Sequence, residues 1–269
     1  SKAPSWNLNL EYQVQDNLFV YGTIRKGFKG GGFNQFATGT TFVTYKPEKL
    51  KDMEVGLKAQ GRLGEAPYRF TAALFNGRYK DIQTNQAAFI DGAHQSLLLN
   101  PARAKVKGGE AELTTAPVPG LELNGYYGLT DGKYDNFFLL VAGTPLDLTG
   151  KRLVGVPRTT YGASAAYTVQ MAEDVGSLTF SINANYRGRI IFDHTVPDEF
   201  GGAPSLTLAD TSVTWNNVMG KPLTAMAYIR NLTDKDPVLQ AGDIRGQLAV
   251  ANRLFGPPRT YGLELTYRF

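Results

Sequence analysis

LELNGYYGLT, residues 121–130, places Leu121, Leu123, Gly125, Tyr127 and Leu129 on one side of an extended chain and Glu122, Asn124, Tyr126 and Thr130 on the other. Successive side chains of a strand point to opposite faces, whereas a helix would mix these residues around its surface. The stretch therefore reads as a β-strand with one apolar and one polar face. The turn Pro117-Val118-Pro119-Gly120 precedes it, and beyond that turn Ala111 and Leu113 alternate with Glu110 and Glu112. The unit is a hairpin.

Working outward, the same period of two returns along the chain. Upstream, Trp6, Leu8, Leu10, Tyr12 and Val14 interleave with Asn7, Asn9, Glu11, Gln13 and Gln15, and Asp16-Asn17 turns the chain into a second strand from Leu18 to Lys26. Met53, Val55, Leu57 and Ala59 alternate with Glu54, Gly56, Lys58 and Gln60, and after a turn near Gly64 the segment 68–81 returns. Downstream, Tyr161, Ala163, Ala165, Tyr167 and Val169 share a face. Leu178, Phe180, Ile182, Ala184 and Tyr186 then oppose Thr179, Ser181, Asn183, Asn185 and Arg187, and strands follow near 206–218, 223–231 and 259–269. About eleven strands result with no helical period between them, which excludes α/β folds. The connections sort by length: turns of about two to five residues alternate with loops of about 14 to 24, expected at 27–46, 83–101, 135–151, 191–205 and 233–257. Outer-membrane barrels have this asymmetry, with short turns at one rim and long loops at the other.

Composition bounds the rest. The 269 residues are 42% hydrophobic and 19% charged, the balance of a folded chain. Cysteine is absent, which removes disulfides, thiolate metal sites and cysteine nucleophiles. Mean hydropathy is -0.24, and no stretch approaches the ~20 apolar residues of a spanning helix; a barrel strand needs only about 9–11 residues, every second one apolar. The net charge is +4, yet Lys and Arg are scattered along the sequence, so nothing points to nucleic acid. Ser1-Lys2-Ala3-Pro4 lacks the charged start and apolar core of a signal peptide, which suggests a mature, trimmed or partial chain.

Alternation alone leaves two readings open. In a soluble sandwich the apolar faces turn to a core; in a membrane barrel they turn to lipid and the polar faces line a wet lumen. Two features favour the barrel. Trp6, Tyr12, Tyr68, Tyr127, Tyr161, Tyr186, Trp215 and Tyr267 stand at the ends of apolar series, as in aromatic girdles at the membrane–water interface. The last strand alternates Tyr261, Leu263, Leu265, Tyr267 and Phe269 with Gly262, Glu264, Thr266 and Arg268 up to the final residue, where soluble domains usually fray. On this reading Glu54, Lys58, Glu110, Glu112, Glu122 and Arg187 face the lumen.

Five segments, in order, carry a family resemblance. YGTIRKGFKGGGFN at 21–34, YKPEKLKDMEVGLKAQ at 45–60, GGEAEL at 108–113, YIRNLTDKDP at 228–237 and PRTYGLELTYRF at 258–269 resemble strands from the C-terminal half of the barrel of TonB-dependent outer-membrane receptors. Arg230 stands where Lys is common in that family. The resemblance covers residues 1–269. It implies an all-β, transmembrane, antiparallel up-and-down β-barrel, here a partial one, with about eleven strands of a total of about 22 around a plugged lumen. It further implies a bacterial cell outer-membrane location and active uptake of a ferric siderophore or other iron complex, energised through TonB. A passive porin, or a receptor for a sugar, haem or cobalamin, is the alternative. The implied partners are outer-membrane lipid, the remaining N-terminal strands and plug domain, the TonB complex through the missing N-terminal region, the nutrient ligand, and the barrel assembly machinery. The last would read the terminal strand through Tyr267 and Phe269. Residues 5–15 and 259–269 should form two open sheet edges, to be closed by the remaining strands.

Chemistry is sparse. Phe33, Asn34 and Gln35 in the Gly-rich loop, and His94, Asp193 and His194 in two others, are candidate ligand contacts. GFKGGGFN is no phosphate cradle, because neither a helix nor a Lys-Ser/Thr pair follows it. Glu110 and Glu112 sit on one strand face and suit a lumen wall better than acid–base catalysis. No Ser, His and Asp set suggests a nucleophile, so no enzyme, no cofactor and no resident metal is expected.

Overall fold

The computed structural model describes residues 4–35, 43–90, 93–141, 144–243 and 251–269. Eleven of the described strands follow one another in one antiparallel meander. They are β1 (Trp6–Gln15), β2 (Leu18–Lys29), β3 (Glu48–Leu63), β4 (Ala66–Ile90), β5 (Ala93–Val118), β6 (Leu121–Val141), β7 (Thr159–Gln170), β8 (Ser177–Arg187), β9 (Leu206–Asn216), β10 (Leu223–Arg230) and β11 (Thr260–Tyr267). Each pairs with its neighbours in sequence, and the short strand Thr144–Asp147 folds back onto β6. The path opens at β1 and closes at β11, so these two strands are its edges.

Short turns gather at one rim. Asp16-Asn17, Gly64-Glu65 and Pro119-Gly120 connect β1 to β2, β3 to β4 and β5 to β6. Gly64 and Gly120 hold φ of 64° and 82°, and a Cβ on Gly120 would also strike the Thr168 carbonyl. The long connections lie at the opposite rim and carry structure of their own. Gly32–Phe33 pairs with Thr44–Tyr45, Ile190–Ile191 with Gly202–Ala203 across a single helical turn at Asp198–Gly201, and Val238–Asp243 with Ala251–Phe255.

Two expected loops are strands. The segments 83–101 and 135–151 continue β4, β5 and β6 well past the sheet body, with Thr84 paired to Leu99 and Ala102 to Phe137. Register shifts between Tyr79 and Thr84 and between Arg103 and Ala104, with Asp81 at φ 57°, interrupt the period of two there. A bulge shifts which side chains face which way, so pattern reading ends at it although the ladder goes on.

Register sorts the side chains into two faces. One row of the polar face runs Glu11, Tyr21, Gly56, Ala73, Glu110, Gly128, Thr160, Arg187, Leu206; the matching apolar row runs Tyr12, Val20, Leu57, Ala72, Ala111, Tyr127, Tyr161, Tyr186, Thr207. Among the described residues no second layer covers the apolar face: Leu10 is 77% exposed, Val55 58%, Ile182 49% and Leu263 83%. Among the described residues, two clusters of buried apolar residues lie instead at the long-connection rim. Ala102, Ala104, Tyr134, Phe137 and Leu148 form one, and Ala203, Val238 and Ala241 the other. An all-β chain that buries its loops and exposes its strand faces is built for a solvent that accepts apolar surface, which is lipid. The fold is a partial wall of a transmembrane up-and-down barrel.

Candidate functional site

The polar face is mixed in sign. Arg25 of β2 bonds two carboxylates of β3, Asp52 at 2.6 Å and Glu54 at 2.7 Å, and the Tyr21 hydroxyl donates to Glu54 at 2.8 Å. Tyr21 lies flat across Gly56 and Tyr126 across Gly162, where any Cβ would meet the ring. These glycines let the rings lie down and put their hydroxyls in reach of Glu54 and, at 3.0 Å, of Asn185. A recess of about 760 Å³ opens here, lined by Asn7, Arg25, Asp52, Glu54, Phe75 and Val106 among others.

Glu54, Lys58, Glu110, Glu112, Glu122 and Arg187 all fall on this one face. They are not gathered into a reactive centre. Glu110 stands opposite Ala73 and Gly128, Glu112 opposite Thr71 and Tyr126, and Glu122 opposite Ala166. The Lys58 ammonium hangs 6.0 Å from the Phe19 ring and 5.9 Å from the Tyr21 ring. The Arg187 Nε is buried with no hydrogen-bond partner among the described residues. Such a surface can hold water and dock polar groups, but it aligns no nucleophile with a base.

At the long-connection rim the candidate ligand residues separate. Phe33 is 75% exposed and Gln35 is exposed, so both face solvent. Asn34 is a staple: its amide accepts from Leu98 N at 2.8 Å and donates to Leu98 O at 3.0 Å, as a strand residue would. Asp193 accepts from the Thr195 amide and hydroxyl, both at 2.7 Å, which caps its own turn. The His194 Nε2 lies 2.6 Å from the Arg152 carbonyl. A carbonyl only accepts, so Nε2 carries the proton and Nδ1 is the only ring nitrogen left for a metal. The backbone of His94 sits in β5; its side chain lies outside the described residues. Among the described residues no group of three or more His, Asp or Glu could hold a metal ion.

Sequence reading missed the polar staples of this rim. Gln83 donates to Gly30 O and Lys46 O, and Asn100 donates to Lys46 O and Asp81 O while accepting from Lys46 N. Both fall inside a stretch expected to be loop, where an isolated amide carries no pattern. Further round the rim, Glu199, Phe200, Asn252 and Arg253 line a cavity of about 500 Å³.

With that geometry in place, the model of one protein family, the TonB dependent receptor-like β-barrel, matches residues 1–232. The chain belongs to this family. Its place is therefore the bacterial cell outer membrane. Solved receptor structures share the fold at low identity. The ferric yersiniabactin uptake receptor FyuA from Yersinia pestis is 20% identical with a TM-score of 0.75, over 96% of this chain and 36% of that one. The ferric preacinetobactin receptor BauA from Acinetobacter baumannii is 22% identical with a TM-score of 0.70, over 97% and 36%. The copper transporter OprC is 15% identical with a TM-score of 0.70, over 98% and 39%. The chain thus spans little more than a third of the length of these relatives, which are described as receptors and a transporter.

Proposed function

We propose that the chain is the C-terminal part, residues 1–269, of the barrel of an outer-membrane receptor that imports a ferric siderophore or other iron complex, energised through TonB. The observation that carries the reading is the family match over residues 1–232, joined to a sheet whose apolar face is bare and whose polar face is charged. Several relatives of the same fold are described as receptors for ferric siderophores, which favours an iron complex over a sugar or cobalamin. OprC, described as a copper transporter, keeps other metals in view.

In the intact receptor Glu54, Lys58, Glu110, Glu112, Glu122 and Arg187 line the lumen and meet a plug domain supplied by the rest of the protein. Phe33 and Gln35 are free to touch ligand. Asn34, Asp193 and His194 shape the rim that presents them. Remaining barrel strands pair with β1 and β11, and Tyr267 and Phe269, whose rings meet edge-on at 5.2 Å, form the signal read by the assembly machinery.

Uptake of radiolabelled iron complexes by cells that express the intact receptor as their sole iron receptor tests this. Uptake should saturate and stop when the proton motive force is collapsed. Uptake that is unsaturable and indifferent to the proton motive force would make the protein a porin.

A further inference from the structure

Lysines and arginines that are scattered in sequence become neighbours in the register. On the apolar face Lys26 of β2 lies opposite Lys51 of β3, Lys51 opposite Arg78 of β4, Arg78 opposite Lys105 of β5, and Lys105 opposite Lys133 of β6. The row crosses five adjacent strands, about 19 Å at the ~4.8 Å spacing of a sheet. One step toward the short-turn rim the row runs Ile24, Met53, Asn76, Lys107 and Asp131, and one step further Gly22, Val55, Leu74, Gly109 and Leu129 carry the apolar band across the same five strands. One step the other way, Lys49 faces Lys80.

Like charges directly opposite one another destabilise strand pairing, and a merely hydrated face mixes its signs. Local carboxylates answer only the far end of the row: Lys105 meets Asp135 at 3.0 Å and Lys133 meets Asp131 at 3.8 Å. Among the described residues Lys26, Lys51 and Arg78 have no ion pair. Something outside the described residues supplies the negative charge. The row sits where the apolar band ends at the long-connection rim, which is the headgroup level of the outer leaflet if those connections face outward, so the inference rests on the barrel reading above.

We propose that Lys26, Lys51 and Arg78, extended by Lys105 and Lys133, form a binding site for the phosphates of a phosphorylated lipid headgroup of the outer leaflet. The Arg78 guanidinium can take a phosphate through two parallel N–H donors, and the ammonium groups act as point charges beside it. The lipid's acyl chains then run down Ile24, Met53, Val55 and Leu74, which lie on the same face.

The test uses the intact receptor in nanodiscs of phosphatidylcholine, titrated with a fluorescent diphosphorylated glycolipid. Combined Lys26→Gln, Lys51→Gln and Arg78→Gln should weaken binding about 100-fold, since each basic residue near an anionic surface contributes about five-fold. Combined Lys26→Arg, Lys51→Arg and Arg78→Lys keeps the charge and should keep most of the affinity, and wild-type binding should weaken steeply with salt. Inorganic phosphate should neither bind nor compete at equal concentration; if it does, the site is one for free anions and the lipid assignment fails. Equal affinity of wild type and the glutamine variant, or salt-independent binding, overturns the proposal. Failure of the barrel reading looks different, because the protein would not enter phosphatidylcholine nanodiscs at all.

Discussion

Ile182→Arg separates the lipid-facing account from a soluble one by sign as well as size. Ile182 is the sixth of eleven residues in β8, pairs with Ala165 and Thr211, and is 49% exposed. Five residues on either side reach about 17 Å along the strand at ~3.4 Å each, or about 12 Å along the membrane normal at a tilt of ~45°. That matches an apolar band about 25 Å tall and puts Ile182 at its midplane, where an arginine on the lipid face costs about 2–4 kcal/mol. Were this face in water, replacing a half-exposed isoleucine would change stability by no more than about 0.5 kcal/mol. Ser181→Arg is the control. Ser181 lies on the polar face opposite Ala166 and Ser212, where a charge meets water, and its cost should stay below about 1 kcal/mol. Urea titration of the intact receptor folded in phosphatidylcholine vesicles, followed by heat-modifiable gel mobility, measures both. An Ile182→Arg variant as stable as wild type, with Ser181→Arg the costly one, would refute the facing of the sheet.

Three further outcomes follow from particular residues. Asn231 is buried at φ 54°, donates to Lys235 O at 2.7 Å and accepts from Lys235 N at 3.0 Å, so Asn231→Ala should loosen the rim by about 2 kcal/mol and speed protease nicking within 231–259; an unchanged nicking rate on whole cells would contradict that role. The Thr149 hydroxyl and amide hold the Asp147 carboxyl below its ordinary range. A depressed carboxylate contributes stability at neutral pH that is lost as pH falls through its folded value, so Thr149→Ala should move the loosening of this turn to higher pH, read as the Asp147 titration by carboxyl-carbon NMR. If Tyr267 and Phe269 are the assembly signal, Phe269→Ala should lower the amount of receptor in the outer membrane without altering the urea midpoint of the fraction that assembles.

What the sequence made legible is what the period of two controls. Leu121 to Thr130 and Leu178 to Arg187 assigned the right residues to each face because an unbroken strand leaves no freedom of register once its faces differ. The extensions of β4, β5 and β6 were illegible because the shifts at Tyr79–Thr84 and Arg103–Ala104 change the phase. Asp193 and His194 read as candidate ligand contacts because adjacency is visible in a sequence, and the bonds that Thr195 and Arg152 make with them were not legible because they depend on the fold of the rim. The basic row was invisible for a related reason. Lys26, Lys51, Arg78, Lys105 and Lys133 are separated by whole strands, and only pairing brings them together.

The central claim is that the bare apolar face meets lipid and the charged face meets water. The chain contains no cysteine, so a single thiol introduced at each position from Ser177 to Arg187 can carry a nitroxide at a unique site within it. In the intact receptor in bilayers, collision with lipid-soluble oxygen should peak at positions 178, 180, 182, 184 and 186, and collision with a water-soluble nickel chelate at the positions between. The opposite phase, or high chelate access at every position, would contradict the account.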